Sequence, residues 1–364
     1  MKLRKLAKII PLCLVASLVA CDSKNEIVTK KYNYFEGTEI TMSTRDFKKY
    51  GKVIDNVLKD INLYTNQEYL DGVYKSCLSR LVTNVEHNVY YLNLKEHSHL
   101  YYMLHAANEA IGVTGWSYSP YLGNYKKVWR SYLDKGKILP YEERPQFEKR
   151  MSLFQGNHAT FYEDSFKVKY AEISDFDEMG IDLSDVVESY AIDSLMFSLR
   201  YLDLKDYLIR TSEYNMLVGE NPATDSKDYE LSFVGPYGKP LSVKAKNTFV
   251  TMANNLGNST VIDGDTYSTK YFSIHNGPLT SNDAVILLAN DFEYLNPCVI
   301  TAAGATSMMF SYGLDEIIDM EQHIHVKAIV FKNGELAYCN EDLEVVYNGV
   351  DFGKFGKTNN SSSF

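Results

Sequence analysis

The residues that specify chemistry most directly sit at the start of the chain. Leu18-Val19-Ala20-Cys21 places small residues before a cysteine. A signal peptidase can reach such a bond, and the freed thiol then takes up a diacylglycerol. Lys2, Arg4, Lys5 and Lys8 precede an apolar run that ends at Ala20 and is too short to span a bilayer comfortably. Residues 1–20 therefore read as a lipoprotein signal, Cys21 as the lipidated residue, and residues 21–31 as a polar tether. Two or three acyl chains hold a protein at a membrane where one does not. The expected location is a bacterial cell envelope, on a membrane and facing the periplasm or the exterior. The alternative is a soluble secreted protein cut elsewhere.

Other reactive side chains are sparse. Cys77, Cys298 and Cys339 remain once Cys13 leaves with the signal and Cys21 is acylated. That odd set has no close pair, so it allows at most one disulfide and neither a zinc knuckle nor a Cys-x-x-Cys redox site. His97-Ser-His99 and His323-Ile-His325 are expected to put two imidazoles on one strand face. No third ligand accompanies either pair, so paired surface histidines are the expectation. Gly235-Pro236-Tyr237-Gly238 is a turn, since no Gly-Lys-Ser/Thr follows it, and no Gly-x-Ser-x-Gly nucleophile elbow occurs.

The elements that must position a site are legible from periodicity. Residues 46–62 carry Tyr50, Val53, Ile54, Val57, Leu58 and Ile61 at helical spacing. Residues 76–83 suggest a short second helix or turn. Residues 101–113 place Leu104, Ala107, Ala110 and Ile111 on one helical face. Residues 114–175, with Pro120, Pro140 and Pro145, read as loop-rich. Residues 181–202 read as a loop entering a helix. Residues 32–43, 207–218 and 231–234 read as strands, and Ala284-Val285-Ile286-Leu287-Leu288-Ala289 as a buried one. Residues 299–313 fit a helix packed closely on a sheet. Asn333-Gly334 between apolar runs predicts a hairpin over residues 325–338. Strands and helices mix without regular βαβ repetition, which predicts one large α+β domain over residues 32–356 and a low-complexity tail at 357–364.

Composition fits that picture and excludes others. The chain has 364 residues, 45% of them hydrophobic and 23% charged, which rules out wholesale disorder and a polytopic membrane protein. Its 37 basic and 47 acidic residues give −10. Losing the four basic residues of the signal leaves 33 against 47, or −14. Such a chain is a poor holder of nucleic acid. The 29 tyrosines against 2 tryptophans are the other skew; a ring that stays wet at its hydroxyl places many of them on edge strands and the surface, and composition bias accounts for the rest.

Four segments, in order, resemble the ApbE-type flavin transferases (FAD:protein FMN transferases). Phe35-Glu36-Gly37-Thr38 stands where that family has Met-Gly-Thr. Thr114 to Trp129 keeps the spacing of T-D-G-x-x-D-x-T-x-x-P-L-x-x-x-W. Ile181-Asp182-Leu183-Ser184-Asp185-Val186-Val187-Glu188-Ser189-Tyr190-Ala191-Ile192-Asp193 looks like V-D-L-S/G-x-[IV]-[AG]-[KE]-G-Y-A-x-D, and a strand at Tyr207 follows. Residues 302–313, from Ala302 to Gly313, stand in place of A-D-A-x-x-T-x-x-x-x-x-G. The resemblance implies a single T-fold-related domain with mixed or antiparallel sheets and packed helices. It also implies cleavage of the FAD pyrophosphate and transfer of FMN to Thr or Ser of an envelope partner, with Mg²⁺ neutralising the phosphates and the leaving AMP. Contacts to FAD fall on Ser117, Tyr118, Ser119, Glu188, Asp193 and His275, with Tyr118 and Tyr121 placed for stacking. Metal contacts fall on Ser307 and Asp185.

The sequence departs from the pattern where the charge would be. The metal-binding Asp aligns with Ala303 and the metal-binding Thr with Ser307. A flavin-contacting Asp aligns with Ser119, and Gly-Gly becomes Ser212-Glu213. Asp182 remains and is expected to cap the helix after it. Gly304-Ala305-Thr306 resembles a flavin-accepting Gly-Ala-Thr, but it falls on the packed helix, so close packing is expected there. The expectation is a transferase fold with weak or lost catalysis. Two alternatives are a non-catalytic binding or assembly module on the same fold, and an unrelated envelope binding protein.

Overall fold

The structure is a computed structural model that describes residues 27–34, 38–45, parts of 51–59, 89–93, 98–115, 117–144, 159–161, 165–169, 182–211, 215–235, 238–290 and 296–352. Its elements begin with β1 (Val28–Tyr34), β2 (Thr38–Thr44) and β3 (Val89–Asn93). Then come α1 (Ser98–Val113), α2 (Gly123–Leu133), β4 (Ala159–Phe161), β5 (Ser165–Lys169) and α3 (Val187–Tyr201). β6 (Leu208–Thr211), β7 (Met216–Val218), β8 (Tyr229–Val234), β9 (Pro240–Ala245) and β10 (Thr248–Asn254) follow. After β11 (Ser259–Ile262), β12 (Asp265–Ser268) and β13 (Ala284–Ala289) the chain forms α4 (Pro297–Met308) and α5 (Leu314–His323). It finishes with β14 (Lys327–Lys332), β15 (Glu335–Cys339), β16 (Val345–Tyr347) and β17 (Val350–Asp351).

Eight strands make one sheet in the order β1-β2-β6-β7-β10-β13-β14-β15, and each neighbouring pair is antiparallel. β13 lies inside it and is buried at every residue. Alternation decides where its side chains go. Val285, Leu287 and Ala289 join the core beneath the helices, while Ala284, Ile286 and Leu288 join the core on the other face with β8, β9 and β16. A strand covered on both faces must be apolar throughout, which explains the unbroken run in the sequence. Each Leu or Ile buried this way contributes roughly 1.5–3 kcal/mol. The α+β expectation is met.

Local signals worked where a turn or a stripe was strong. Asn333 (φ 53°) and Gly334 (φ 79°) form the two-residue turn between β14 and β15, both in the left-handed region that such a turn requires. Residues 51, 52, 54–57 and 59 are helical, within the helix expected at 46–62. The segment expected as a strand at 32–43 holds parts of β1 and β2, and that at 207–218 holds all of β6 and β7.

Two expectations need correction. Residues 114–175 are not simply loop: they contain α2, with Leu122, Tyr125, Trp129 and Leu133 buried along one side. Pro120 and Pro140 flank that helix rather than interrupt it, so they bound it instead of excluding it. His323 and His325 do not share a strand face. His323 ends α5, and His325 has φ 54° in the turn before β14. Cys298 and Cys339 are free thiols. Cys21, Phe35, Glu36, Gly37, Cys77, His97, residues 76–83, Ser212-Glu213 and the tail at 357–364 lie outside the described residues.

Candidate functional site

α4 organises the site. All twelve of its residues are buried, between α1, α3 and the strands β10 and β13. Small side chains allow the close approach. A methyl on Gly304 would lie 2.3 Å from Ile324 Cδ1 and 3.4 Å from Leu287 Cδ1. Asp193 of α3 fixes the start of the helix: its two carboxylate oxygens accept the N–H groups of Cys298 (3.0 Å) and Val299 (3.1 Å). Those bonds satisfy donors that a helix leaves open at its first turn. Burial pushes the Asp193 carboxyl up to about 7 while the two N–H groups work against the rise.

Beside α4 lies a small cavity of about 30 Å³. Ser184, Asp185 and Glu188 enter it from the start of α3, and Asn215, Thr251, Met252 and Ala253 from the sheet. Lys270 and Tyr271 come from the loop after β12, and Ala302, Ala305 and Thr306 from α4. Asn215 donates to Glu188 Oε2 (3.0 Å) and accepts from Thr251 (2.6 Å), so a buried amide holds the carboxylate in place.

Two lysines and three carboxylates share this region. Lys126 of α2 is 1% exposed and meets Asp185 at 2.6 Å and Asp182 at 3.4 Å. Burial alone would pull the Lys126 ammonium down, but the two carboxylates outweigh it and hold it above the ordinary lysine value. Asp182 is held well below the usual carboxylate range, burial being outweighed by Lys126 and by hydrogen bonds from Ser184. Asp185 has one oxygen on Lys126; the other is buried with no hydrogen-bond partner among the described residues. Burial lowers the Lys270 ammonium, and Asp185 and Glu188 partly restore it. Lys270 therefore lies within electrostatic reach of both cavity carboxylates.

The fold was compared with solved structures. It matches a flavinyl transferase ApbE from Pseudomonas stutzeri with a TM-score of 0.61 at 12% identity, over 90% of this chain and 94% of that one. It matches an ApbE protein from Thermotoga maritima at 0.60 and 14%, over 87% and 97%. A flavin transferase ApbE from Vibrio cholerae gives 0.57 and 13%, over 89% and 99%. The chain has an ApbE-like fold. No family profile matches it, and neither does any curated protein.

Within this ApbE-like fold the expected site residues separate into groups. Asp185 and Glu188 come together in the cavity. Asp193 lies outside the lining and caps α4. Tyr118 and Ser119 are buried in the turn before α2, 1% and 6% exposed, with the half-buried Ser117 beside them. Tyr121, 2% exposed, bonds Asn108 from within the helical core. His275 sits in the turn whose Gly277 backs onto Trp129, away from the lining. Asp182 does not supply the N-cap of α3, which is Val186; it accepts the Ser184 N–H at 2.9 Å and faces Lys126. Along α4 the lining face is shifted by one residue from the one the motif selects. Ala303 is fully buried in the core and the Ser307 hydroxyl is buried without a hydrogen-bond partner among the described residues, while Ala302 and Thr306 face the cavity.

Those residues do not fit a divalent metal. Mg²⁺ demands hard oxygens in near-octahedral array. α4 offers the methyls of Ala302 and Ala305 and one hydroxyl, from Thr306. Asp185 is already paired with Lys126, and an ammonium, Lys270, lines the same space. No group of three or more His, Cys, Asp or Glu side chains suited to a metal occurs among the described residues. Sequence reasoning missed Lys126, Lys270, Asn215, Thr251 and Thr306. Lys126 alone had a local signal, a basic residue on the inward stripe between Leu122 and Trp129.

Proposed function

We propose that the protein is an envelope lipoprotein, anchored through Cys21, that binds FAD on the ApbE-like fold and passes FMN to Thr or Ser of an envelope partner weakly or not at all. One observation carries the loss of catalysis: at the cavity, α4 presents Ala302 and Ala305 beside a lysine. Cleaving a pyrophosphate requires neutralising the charge on the attacked phosphate and on the leaving AMP, and methyl groups cannot hold the ion that does so. The test combines purified protein, FAD, Mg²⁺ and an acceptor containing Gly-Ala-Thr. Mass spectrometry should show no Mg²⁺-dependent gain of FMN on the acceptor. Robust transfer that EDTA abolishes would overturn the reading.

The burial of Tyr118 and Tyr121 favours a second reading, a non-catalytic binding or assembly module that takes no flavin. Thermal shift with FAD separates the two. A ligand present at 100 times its Kd adds about 2.7 kcal/mol to the folded state, whereas no shift at saturating FAD selects the second.

A further inference from the structure

We propose that the end of the molecule holding the C-terminus of α3 rests on the membrane that takes the acyl chains of Cys21. Phe197 and Tyr201 then sit at the bilayer interface, and the cavity is turned away from it. The proposal rests on the lipid-anchor reading above and gives that anchor an orientation. Phe197 and Tyr201 are four residues apart on α3, so they share one helical face, and they are 58% and 92% exposed. The inner stripe of the same helix, Ile192, Leu195, Met196 and Leu199, is buried with Ile40 and Met42 of β2 and Ile209 of β6. α3 thus carries large apolar rings on a face turned to water as well as apolar side chains on the face turned to the core.

Strand register places this pair at the end of the fold where the tether enters. β1 starts at Val28, itself 40% exposed and paired with Thr44 at the end of β2. Ser43 pairs with Leu208, the first residue of β6, and the Arg45 N–H donates to Asp206 in the loop that joins α3 to β6. Cys21 and Val28 are seven residues apart in sequence and span at most about 25 Å when fully extended, so the anchor keeps this end close to the lipid. A tyrosine ring suits the interface, its apolar body among the acyl chains and its hydroxyl among the headgroups. Charge points the same way. The chain without its signal carries −14, which an anionic lipid surface repels. At this end, however, the exposed Lys205, Lys227 and Lys246 stand beside Asp203, Glu220 and Asp228, so the surface there is charge-balanced. Glu188, which lines the cavity, lies thirteen residues before Tyr201 on the same helix, or about 20 Å along its axis. The cavity is therefore held at the far end of α3, clear of the headgroups.

The experiment uses the full-length chain, expressed in a bacterium that processes lipoproteins and reconstituted in vesicles of phosphatidylethanolamine and phosphatidylglycerol, with and without bromine on the acyl chains. Mass spectrometry of the N-terminal peptide first reads whether Cys21 carries lipid. Tyr201→Trp puts a fluorophore on the face. Val234→Trp puts one at a 48% exposed position at the far end of β8, whose first residue, Tyr229, donates to Asp206. Brominated lipid should quench the emission that Tyr201→Trp adds to wild type and leave that of Val234→Trp unchanged. Equal emission of Tyr201→Trp in the two vesicles, or equal quenching of both variants, would overturn the proposal and leave the anchor reading intact. A vesicle-bound dimer that Tyr201→Ser separates would also overturn it and assign the face to a second copy of the chain. An unmodified Cys21 would refute the anchor reading itself, and this proposal with it.

Discussion

Replacing Lys126 by Met tests the electrostatic account of the site at its most buried point. The change keeps an unbranched apolar stem and deletes only the ammonium, leaving Asp185 and Asp182 without the cation that both contact. Both partners are well removed from water, with side chains 2% and 17% exposed. Removing one member of a buried pair costs about 3–5 kcal/mol, because the remaining charge is left uncompensated. At ~2.1 cal/mol/K per residue, 364 residues give an unfolding entropy near 0.76 kcal/mol/K, so the loss corresponds to a fall in Tm of ~4–7 °C. The pH dependence carries the more specific signature. Asp182 is depressed in the folded state, so its contribution is present above the unfolded carboxylate value near 4 and disappears as pH falls below it. Lys126 is raised, so its contribution persists through neutral pH and is lost only when strongly alkaline conditions deprotonate it. The gap between wild type and Lys126→Met should therefore be widest at neutral pH and shrink towards pH 3, read by calorimetry or by denaturant midpoints. Lys126→Met with Asp185→Asn should recover part of the loss, since the pair is then removed from both sides. A gap under ~1 kcal/mol, or one that does not shrink in acid, would refute the reasoning.

Two further stability predictions concern α4. Asp193 titrates near 7 when folded and near 3.9 when unfolded, so its contribution is fully present below pH 4 and is lost as pH rises through 7. Wild type should lose up to ~4 kcal/mol from this group between pH 4 and pH 8, and Asp193→Asn should flatten that slope in urea titrations; an unchanged slope would contradict the assignment. Gly304→Ala drives a methyl into Ile324 and should cost about 1–3 kcal/mol by overpacking. Adding Ile324→Val removes the contacted Cδ1 and should return part of that cost, and independent, additive effects in the double-mutant cycle would show that the two residues do not collide.

Much of the fold was legible because its signals are local. The run at β13 and the Asn333-Gly334 turn each encode their structure within a few residues. α1 and α3 do so through apolar positions at helical spacing. α2 was harder to see because nearby prolines make its segment look irregular, although its buried stripe from Leu122 to Leu133 is regular. Of the sheet β17-β16-β9-β8 only β8, read at 231–234, was legible, and its other strands were hidden for another reason. β16 and β17 are three and two residues long and lie about a hundred residues after β9, and the pairing of β16 with β9 is a tertiary event that no window of sequence records.

The site was legible at one wall only. Asp185 and Glu188 follow a recognisable loop into α3, so their position could be reasoned from the motif. On α4 the ambiguity was one of phase. A helix turns by about 100° per residue, so a one-residue error exchanges the core-facing Ala303 and Ser307 for the cavity-facing Ala302 and Thr306. Because alanine stands at both 302 and 303, either phase removes the carboxylate, and the inference that α4 cannot hold a metal survives the shift. Lys270 carried no signal of its own. Its meaning comes from lining the same cavity as Asp185 and Glu188, whose walls are far apart in sequence. Loss of a carboxylate on α4 would by itself leave an incomplete metal site, open to restoration by a single substitution. A lysine in the same cavity means that Ala302→Asp alone should not restore Mg²⁺ binding, because the incoming dication would still meet that ammonium.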